Sequence, residues 1–353
     1  MKGKTLGLSL FMAGIMVVGA SGIGRADDLK VSGYGDITLD LLDETRDNAC
    51  SSPTSATLDT NCDEFQFNTT AEVDFEKKQG PVTVRLDLDF PAVTGVGTTA
   101  GGNNIVANID MEQMRFDWML PVGSELGLTL TGGVFNSPIG FEAQDAPDKL
   151  QVTNGQLFGL VPSNLAGLKL SGGNNMVNGG LIFANDFRNA MPNLLGGVGE
   201  EHSAGAIVSF TPMPEVGLTV GYLDSGILPT EAIINAIVSG TVMPSQDLSL
   251  LYALEYVGDE VNTGMGITLH AKHGKHGLTV RYDMVDCDPG SSSGLCTAGA
   301  PGSPNEEPTT LTLAFQCSLE ENLKLNLEWK STDPDSGSAP KTDQATLQFV
   351  ALF

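Results

Sequence analysis

Alternation of apolar and polar residues constrains the fold of this chain more than any other feature of its sequence. In residues 65–76, apolar side chains such as Phe67, Val73 and Phe75 recur with a period of two, and polar or charged residues stand between them. This period is typical of a β-strand with one apolar face, so we predict an all-β fold. The pattern returns at residues 82–90, 126–130, 216–222, 248–256, 278–284, 311–315 and 323–329.

The connections between these segments alternate in length. With the N-terminus on the periplasmic side, they predict sixteen antiparallel strands with short periplasmic turns and longer outer loops, as in bacterial barrels. Fourteen strands remain an alternative, because the sixth and tenth segments alternate weakly. Lipid cannot satisfy an open sheet edge, so we predict a closed transmembrane β-barrel. Short turns fall near 77–80, 121–124, 171–174, 211–215, 244–246, 272–277 and 319–322, and longer loops near 43–63, 91–107, 135–164, 188–201, 224–230, 257–263, 286–308 and 331–343.

The beginning of the chain has the features of a secretory signal peptide. Two lysines precede an apolar run over residues 6–20, and small residues then lead to Ala26. The run is too short for a confident membrane-spanning helix. We therefore expect residues 1–26 to be a signal peptide and residues 27–353 to form the barrel. A mean hydropathy of +0.02 is too polar for a helical membrane protein.

The chain is strongly acidic, which limits its partners. Its net charge is −25, and it becomes −28 without the three basic residues of the signal peptide. This charge excludes electrostatic binding to nucleic acid or to an anionic membrane surface. In an exported barrel the acids either favour cations in the lumen or serve solubility and calcium-bridged contact with lipopolysaccharide.

Two motifs resemble those of known outer-membrane proteins. Residues 347–353 alternate, with Phe349 and Phe353 on the apolar face. This resembles the C-terminal signal of Gram-negative outer-membrane proteins that the barrel-assembly machinery reads. Residues 133–142 form a G-x-F-x-x-P-x-G-x-E motif. With the strand count, both motifs resemble the OmpL-like β-barrel porin family, although the resemblance does not extend residue by residue along the chain.

The resemblance to porins implies that the third long loop, 135–164, folds into the lumen and narrows it. Pro138 and Gly140 predict a sharp departure from the strand, because proline lacks an N–H donor and glycine adopts unusual backbone dihedrals. We expect the neighbouring apolar residues Ile139 and Phe141 to anchor the loop to the inner wall.

Charged residues of this loop and of the strands are the candidates for a pore constriction. Acidic loop residues that face basic strand residues would create a transverse field that selects polar solutes. The alternative is that the acids sit on an ordinary outer loop. The candidates are Glu142, Asp145 and Asp148 on the loop, Arg85, Arg115 and Arg281 on strands, and Asp87 and Asp117 beside two of these arginines.

Five cysteines are compatible with an exported chain, where disulfides are permitted. Cys50 and Cys62 lie in the first long loop, and Cys287 and Cys296 lie in the seventh. Two local disulfides are the simplest pairing, but a sequence does not fix connectivity. We interpret Cys317 as a free thiol that faces lipid.

Three histidines, His270, His273 and His276, cluster near a predicted periplasmic turn. A metal site or a docking patch for a periplasmic partner is one interpretation. Strand pairing would scatter these side chains and no carboxylate is adjacent, so we predict no metal site and no cofactor.

These features predict a porin of the cell outer membrane that lets small hydrophilic solutes or ions diffuse passively and prefers cations. The alternative is a structural or partner-binding barrel, such as a sleeve for a cytochrome, or an adhesin. No convergent nucleophile and base is evident, so we predict no enzymatic activity. Expected partners are outer-membrane lipid, lipopolysaccharide, the barrel-assembly machinery and, from the porin resemblance, two further copies in a homotrimer.

Overall fold

The computed structural model describes residues 29–43, 66–90, 109–122, 126–185, 202–224, 232–243, 245–259, 262–287, 307–334 and 341–353. These ranges form sixteen β-strands and one short 3-10 helix at Leu157–Leu160. The strands are β1 (Leu29–Asp43), β2 (Gln66–Gln79), β3 (Val82–Phe90), β4 (Asp110–Met119), β5 (Thr129–Asn136), β6 (Asn164–Gly173), β7 (Val177–Asn185), β8 (His202–Met213), β9 (Val216–Asp224), β10 (Ile233–Val242), β11 (Leu248–Gly258), β12 (Asn262–His273), β13 (His276–Cys287), β14 (Thr309–Glu320), β15 (Leu323–Asp333) and β16 (Thr342–Leu352).

The sheet closes into a barrel in which each strand pairs with its neighbours in sequence and β1 pairs with β16. Ile37 lies opposite Phe349 across this antiparallel seam. Beyond it, Phe353 and Gly33 exchange two backbone hydrogen bonds of 3.1 and 3.2 Å. The closed antiparallel barrel of sixteen strands is confirmed, including the weakly alternating sixth and tenth strands, and the alternative of fourteen strands is wrong.

The short turns near 77–80, 171–174, 211–215, 272–277 and 319–322 lie between strands at or close to their predicted positions. The predicted turns at 121–124 and 244–246 lie partly outside the described residues. Gly80 and Gly274, with φ of +59° and +57°, occupy two of the described turns, in the left-handed region that glycine tolerates best. One strand boundary differs, because β5 begins at Thr129 and not at Leu126. The third long loop is described in full, whereas the other predicted long loops lie wholly or partly outside the described residues.

The barrel has apolar residues outside and polar residues inside, which is the reverse of a water-soluble protein. Phe67 and Leu254 are 64% and 49% exposed, whereas Glu72 and Asn326 are each 1% exposed. Such a surface suits a lipid exterior and a polar interior. Within the described residues, no helix is both long and apolar enough to span a membrane.

A close backbone approach between β1 and β2, beside the β1–β16 seam, makes Gly33 sensitive to substitution. A Cβ atom there would overlap the Glu72 carbonyl oxygen and the Phe353 ring. We expect Gly33→Val to cost about 1–3 kcal/mol through overpacking and to lower the yield of closed barrel, measured by heat-modifiable electrophoretic mobility. Gly35→Val is the matched control, because its Cβ would meet nothing closer than 4.0 Å. Equal yields for the two variants would contradict the prediction.

Most of the residues that concern the cysteine and signal-peptide predictions lie outside the described part of the chain. Cys317 on β14 is a free thiol. Residues 1–28, with the predicted signal peptide, and Cys50, Cys62 and Cys296 lie outside the described residues. The two loop disulfides, including the one assigned to Cys287, therefore stay predictions.

Candidate functional site

The connection between β5 and β6, residues 137–163, folds into the lumen, as predicted for the third long loop. Two apolar side chains of this segment, called the inner loop below, pack against the inner wall: Ile139 and Leu157 are only 3% and 2% exposed. Ile139 packs with Phe135, Leu165, Ile182, Ala184 and Leu223, and Leu157 with Ile233, Val257 and Val285.

The start of the inner loop is held mainly through its backbone. The Gly140 N–H donates to Asn235 Oδ1 at 3.3 Å, and the Phe141 N–H donates to Glu255 Oε1 at 3.1 Å. Gly140 has a backbone φ of +105°, a value that residues with a Cβ atom rarely adopt. The prediction that Ile139 and Phe141 anchor the loop therefore holds for Ile139, which packs into the inner wall. The ring of Phe141 belongs to neither of the buried apolar clusters around Ile139 and Leu157.

A buried ion-pair network joins the inner loop to β13. Arg281 Nη1 lies 2.7 Å from Glu142 Oε1, and Arg281 Nε lies 2.9 Å from Asp283 Oδ2. The Gly155 N–H donates to both oxygens of Glu142, at 3.0 and 2.9 Å. The Arg281 and Glu142 side chains are 1% and 6% exposed, so this pair fixes the loop and is not open to the lumen water.

Gly155 leaves no room for a side chain within this network. A Cβ atom there would overlap Glu142 Oε1, Arg281 Cζ and Asp283 Oδ2. We expect Gly155→Ala to weaken loop docking by about 1–3 kcal/mol and to expose Lys149, the only Lys or Arg within residues 137–163, to trypsin.

Gly180→Ala on β7 is the matched control for this test, because its Cβ would make only ordinary contacts of 3.5 Å or more. Resistance of the folded Gly155→Ala barrel to cleavage at Lys149, equal to that of the control, would contradict the role of Gly155.

A second carboxylate, Glu328 on β15, holds the middle of the inner loop. It accepts hydrogen bonds from the Val152 N–H at 2.6 Å and from the Thr153 N–H and hydroxyl at 3.1 and 2.5 Å. Charge-assisted bonds of this kind are among the stronger ones in proteins. Three strand side chains also donate to loop carbonyls: Thr279 to Leu150, Gln316 to Lys149 and Lys324 to Pro147.

The remaining predicted arginines pair along or next to their own strands and not with the loop. Arg85 Nε lies 2.7 Å from Asp87 Oδ1, and its Nη2 lies 3.3 Å from Asp74. Arg115 Nε lies 3.1 Å from Asp117. Asp87 is fully buried in its pair, whereas Asp117 stays 28% exposed. The positive charges of both arginines are therefore largely balanced on the wall.

The acidic loop residues divide between the network and the wall of β2 and β3. Burial raises the pKa of Asp145, and the carboxylates of Asp148 and Asp74 raise it further, whereas Arg85 and Lys149 lower it. Asp145 therefore faces this wall and loses its negative charge at a higher pH than an exposed aspartate. Asp148 is exposed on the loop surface.

A cavity of about 320 Å³ with a mixed polar and apolar lining lies between the inner loop and the wall formed by β1 to β3 and β16. Asp36 and Asp89 line it from the strands, and Lys149 lines it from the loop. Burial lowers the pKa of Lys149, although the surrounding carboxylates oppose this effect. The remaining lining is Tyr34, Thr38, Thr70, Ala71, Phe90, Gln144, Ala146, Val152 and Gln348.

The histidine cluster separates in the barrel. His273 and His276 pair across the β12–β13 turn and are exposed, and His276 stacks on Phe315 at 5.8 Å between ring centroids. His270 is buried, and its Nδ1 lies 2.8 Å from Thr279 Oγ1. His270 thus supports a hydroxyl that holds the inner loop.

The comparisons with known proteins agree with this architecture. The outer membrane channel DcaP of Acinetobacter baumannii is similar with a TM-score of 0.57 at 13% identity, over 94% of this chain and 99% of that chain. OmpT of Vibrio cholerae, an outer membrane protein, gives 0.53 at 11% over 94% and 100%. A mutant of Rh. blastica porin gives 0.51 at 12% over 92% and 100%. No family model and no curated protein matches the chain. The shared fold is that of outer-membrane barrels.

Proposed function

We propose that this chain is a non-enzymatic channel of the outer membrane that lets small hydrophilic solutes and ions diffuse passively. The observation that carries the proposal is the inner loop, which is fixed across the lumen and narrows it, with a cavity left between the loop and the wall of β1 to β3. A barrel with an apolar exterior and a polar, narrowed interior suits passage of small polar solutes. The channels among the similar solved structures support this function by analogy of fold.

Cation preference is part of the proposal. Asp36 and Asp89 line the cavity against one basic residue, Lys149, and the carboxylate of Asp145 approaches the same wall. The arginines closest to this wall, Arg85 and Arg115, are already paired with aspartates. A passage lined by such an excess of carboxylates favours cations.

The geometry disfavours the alternative of a sleeve around a cytochrome. A sleeve requires an open lumen, whereas the inner loop occupies it and binds β10, β13 and β15. An adhesin would act through its outer loops, most of which lie outside the described residues.

The proposed surroundings follow from the outer-membrane location. Lipid would contact the apolar exterior, lipopolysaccharide the outer loops, and the assembly machinery the strand that carries Phe349 and Phe353. A homotrimer and membership of the OmpL-like family are further proposals, supported by the motif at 133–142 and by the terminal strand.

Single-channel recording of the refolded full-length protein in a planar bilayer, with the reversal potential measured across a KCl gradient, tests the function. Discrete steps with a cation-directed reversal potential are the expected result. An anion-directed reversal potential would reject the cation preference, and a demonstrably folded barrel without steps would reject the channel.

A further inference from the structure

Three carboxylates converge on the inner wall, near the end of β3 and the beginning of β4. Glu72 on β2, Asp89 on β3 and Glu112 on β4 each offer one oxygen, and these oxygens lie within 4.8 Å of one another. The register places Glu72 directly opposite Asp89, so adjacent strands of the ladder bring these residues together.

Two of these carboxylates carry buried oxygens without a partner. Glu72 and Glu112 are 1% and 7% exposed, and neither Glu72 Oε2 nor Glu112 Oε1 has a hydrogen-bond partner. Buried polar atoms in folded proteins are almost always satisfied. A buried carboxylate oxygen of this kind needs either a proton or a cation against it.

A second acidic set on the same wall includes two carboxylates that form ion pairs with an arginine. Glu72, Asp74 and Asp87 form a second close set, but Arg85 lies 3.3 Å from Asp74 and 2.7 Å from Asp87. The set of Glu72, Asp89 and Glu112 has no such Arg or Lys ion pair within the described residues. When these three residues are ionised, no Arg or Lys of the described wall compensates their charge.

We propose that Glu72, Asp89 and Glu112 bind a divalent cation, with Ca²⁺ as the preferred ion. An all-oxygen set of carboxylates is the chemistry that Ca²⁺ and Mg²⁺ take. Ca²⁺ suits it better, because strand positions cannot impose an octahedron and Ca²⁺ accepts irregular geometry with water completing the shell. The bound ion joins three adjacent strands at the wall that faces the inner loop.

Tb³⁺ luminescence of the refolded full-length protein in detergent tests the site, since Tb³⁺ occupies calcium sites and tyrosine sensitises its emission. Tyr34 lies opposite Glu72 in the β1–β2 register and is the expected sensitiser. We expect saturable emission that Ca²⁺ displaces better than Mg²⁺. Glu72→Gln and Glu112→Gln should each weaken Tb³⁺ binding at least about ten-fold, because even the loss of a residue that only orients a metal ligand costs about that much.

Two controls separate the site from general charge effects. Asp117→Asn removes a partly exposed carboxylate from β4 outside the set and should leave Tb³⁺ affinity unchanged, whereas Tyr34→Phe should abolish emission but keep calorimetric Ca²⁺ binding. Heat-modifiable mobility confirms that each variant is folded. Absence of a saturable site in the folded parent would show that protons satisfy the carboxylates, and equal weakening by Asp117→Asn would reduce binding to a diffuse acidic surface. Either result overturns the proposal.

Discussion

Arg281→Gln is expected to give a channel with higher and noisier conductance than the parent protein. The substitution leaves the buried carboxylates of Glu142 and Asp283 without their cation. Breaking a buried ion pair in this way costs about 3–5 kcal/mol, which shifts the docked inner loop toward release by roughly a hundred-fold or more. The hydrogen bonds between the strands are unchanged, so the substitution weakens only the docking of the inner loop. Single-channel recording measures the change.

Two further variants test whether the ion pair itself causes this change. Glu142→Gln added to Arg281→Gln removes one of the stranded charges and should restore part of the quiet, low conductance, which a double-mutant cycle measures. Arg115→Gln removes a wall arginine that pairs with Asp117 and not with the loop, and it should leave the noise unchanged. If Arg281→Gln conducts like the parent, the network does not hold the loop in place.

The second large effect is expected in ion selectivity. Asp36→Asn combined with Asp89→Asn removes two carboxylates from the cavity lining. A unit charge about 4 Å from a passing ion attracts a cation and repels an anion by roughly 1 kcal/mol each in water. Removing one charge should therefore lower the cation-over-anion preference by up to about thirty-fold. The reversal potential in a KCl gradient should move toward zero, and more so at low salt, where screening is weaker.

The selectivity test needs a chelator in the bath, so that no divalent ion near Asp89 contributes. Asp247→Asn, in the exposed turn before β11, makes the same charge change at an end of the barrel, and its reversal potential should match that of the parent. A double variant with unaltered selectivity would place the selective part of the passage elsewhere.

Much of the fold could be predicted from the sequence, because the alternation of apolar and polar residues within each strand distinguishes its lipid-facing side from its inward side. Alternation in β2, β11 and β15 fixes which residues face lipid, and turn residues such as Gly80 and Gly274 mark where strands reverse. β6 and β10 gave weaker signals, since glycine, serine and alanine interrupt their alternation. Neighbouring strands complete the ladder there regardless of local preference.

The partners of the inner loop could not be predicted in the same way. Glu142 and Arg281 were singled out, but Arg85 and Arg115 were equal candidates, and only the closed barrel places Arg281 against the loop. Glu328 looked like any inward polar residue. Its partners are backbone N–H groups, which carry no sequence signal. Leu157 was missed for a related reason, because an apolar residue in a loop becomes an anchor only when it meets an inner wall.

The distance in sequence between the loop and its partners sets an order of events in folding. Thr153 and Glu328 are 175 residues apart, and Glu142 and Arg281 are 139 apart. Loop-closure entropy keeps such groups separate until the strands between them have paired. We therefore expect the barrel to close first and the loop to dock afterwards. Until the inner loop docks, a newly inserted barrel has a wider lumen than the mature protein and passes larger solutes. The rate of loop docking then determines how long this higher permeability lasts.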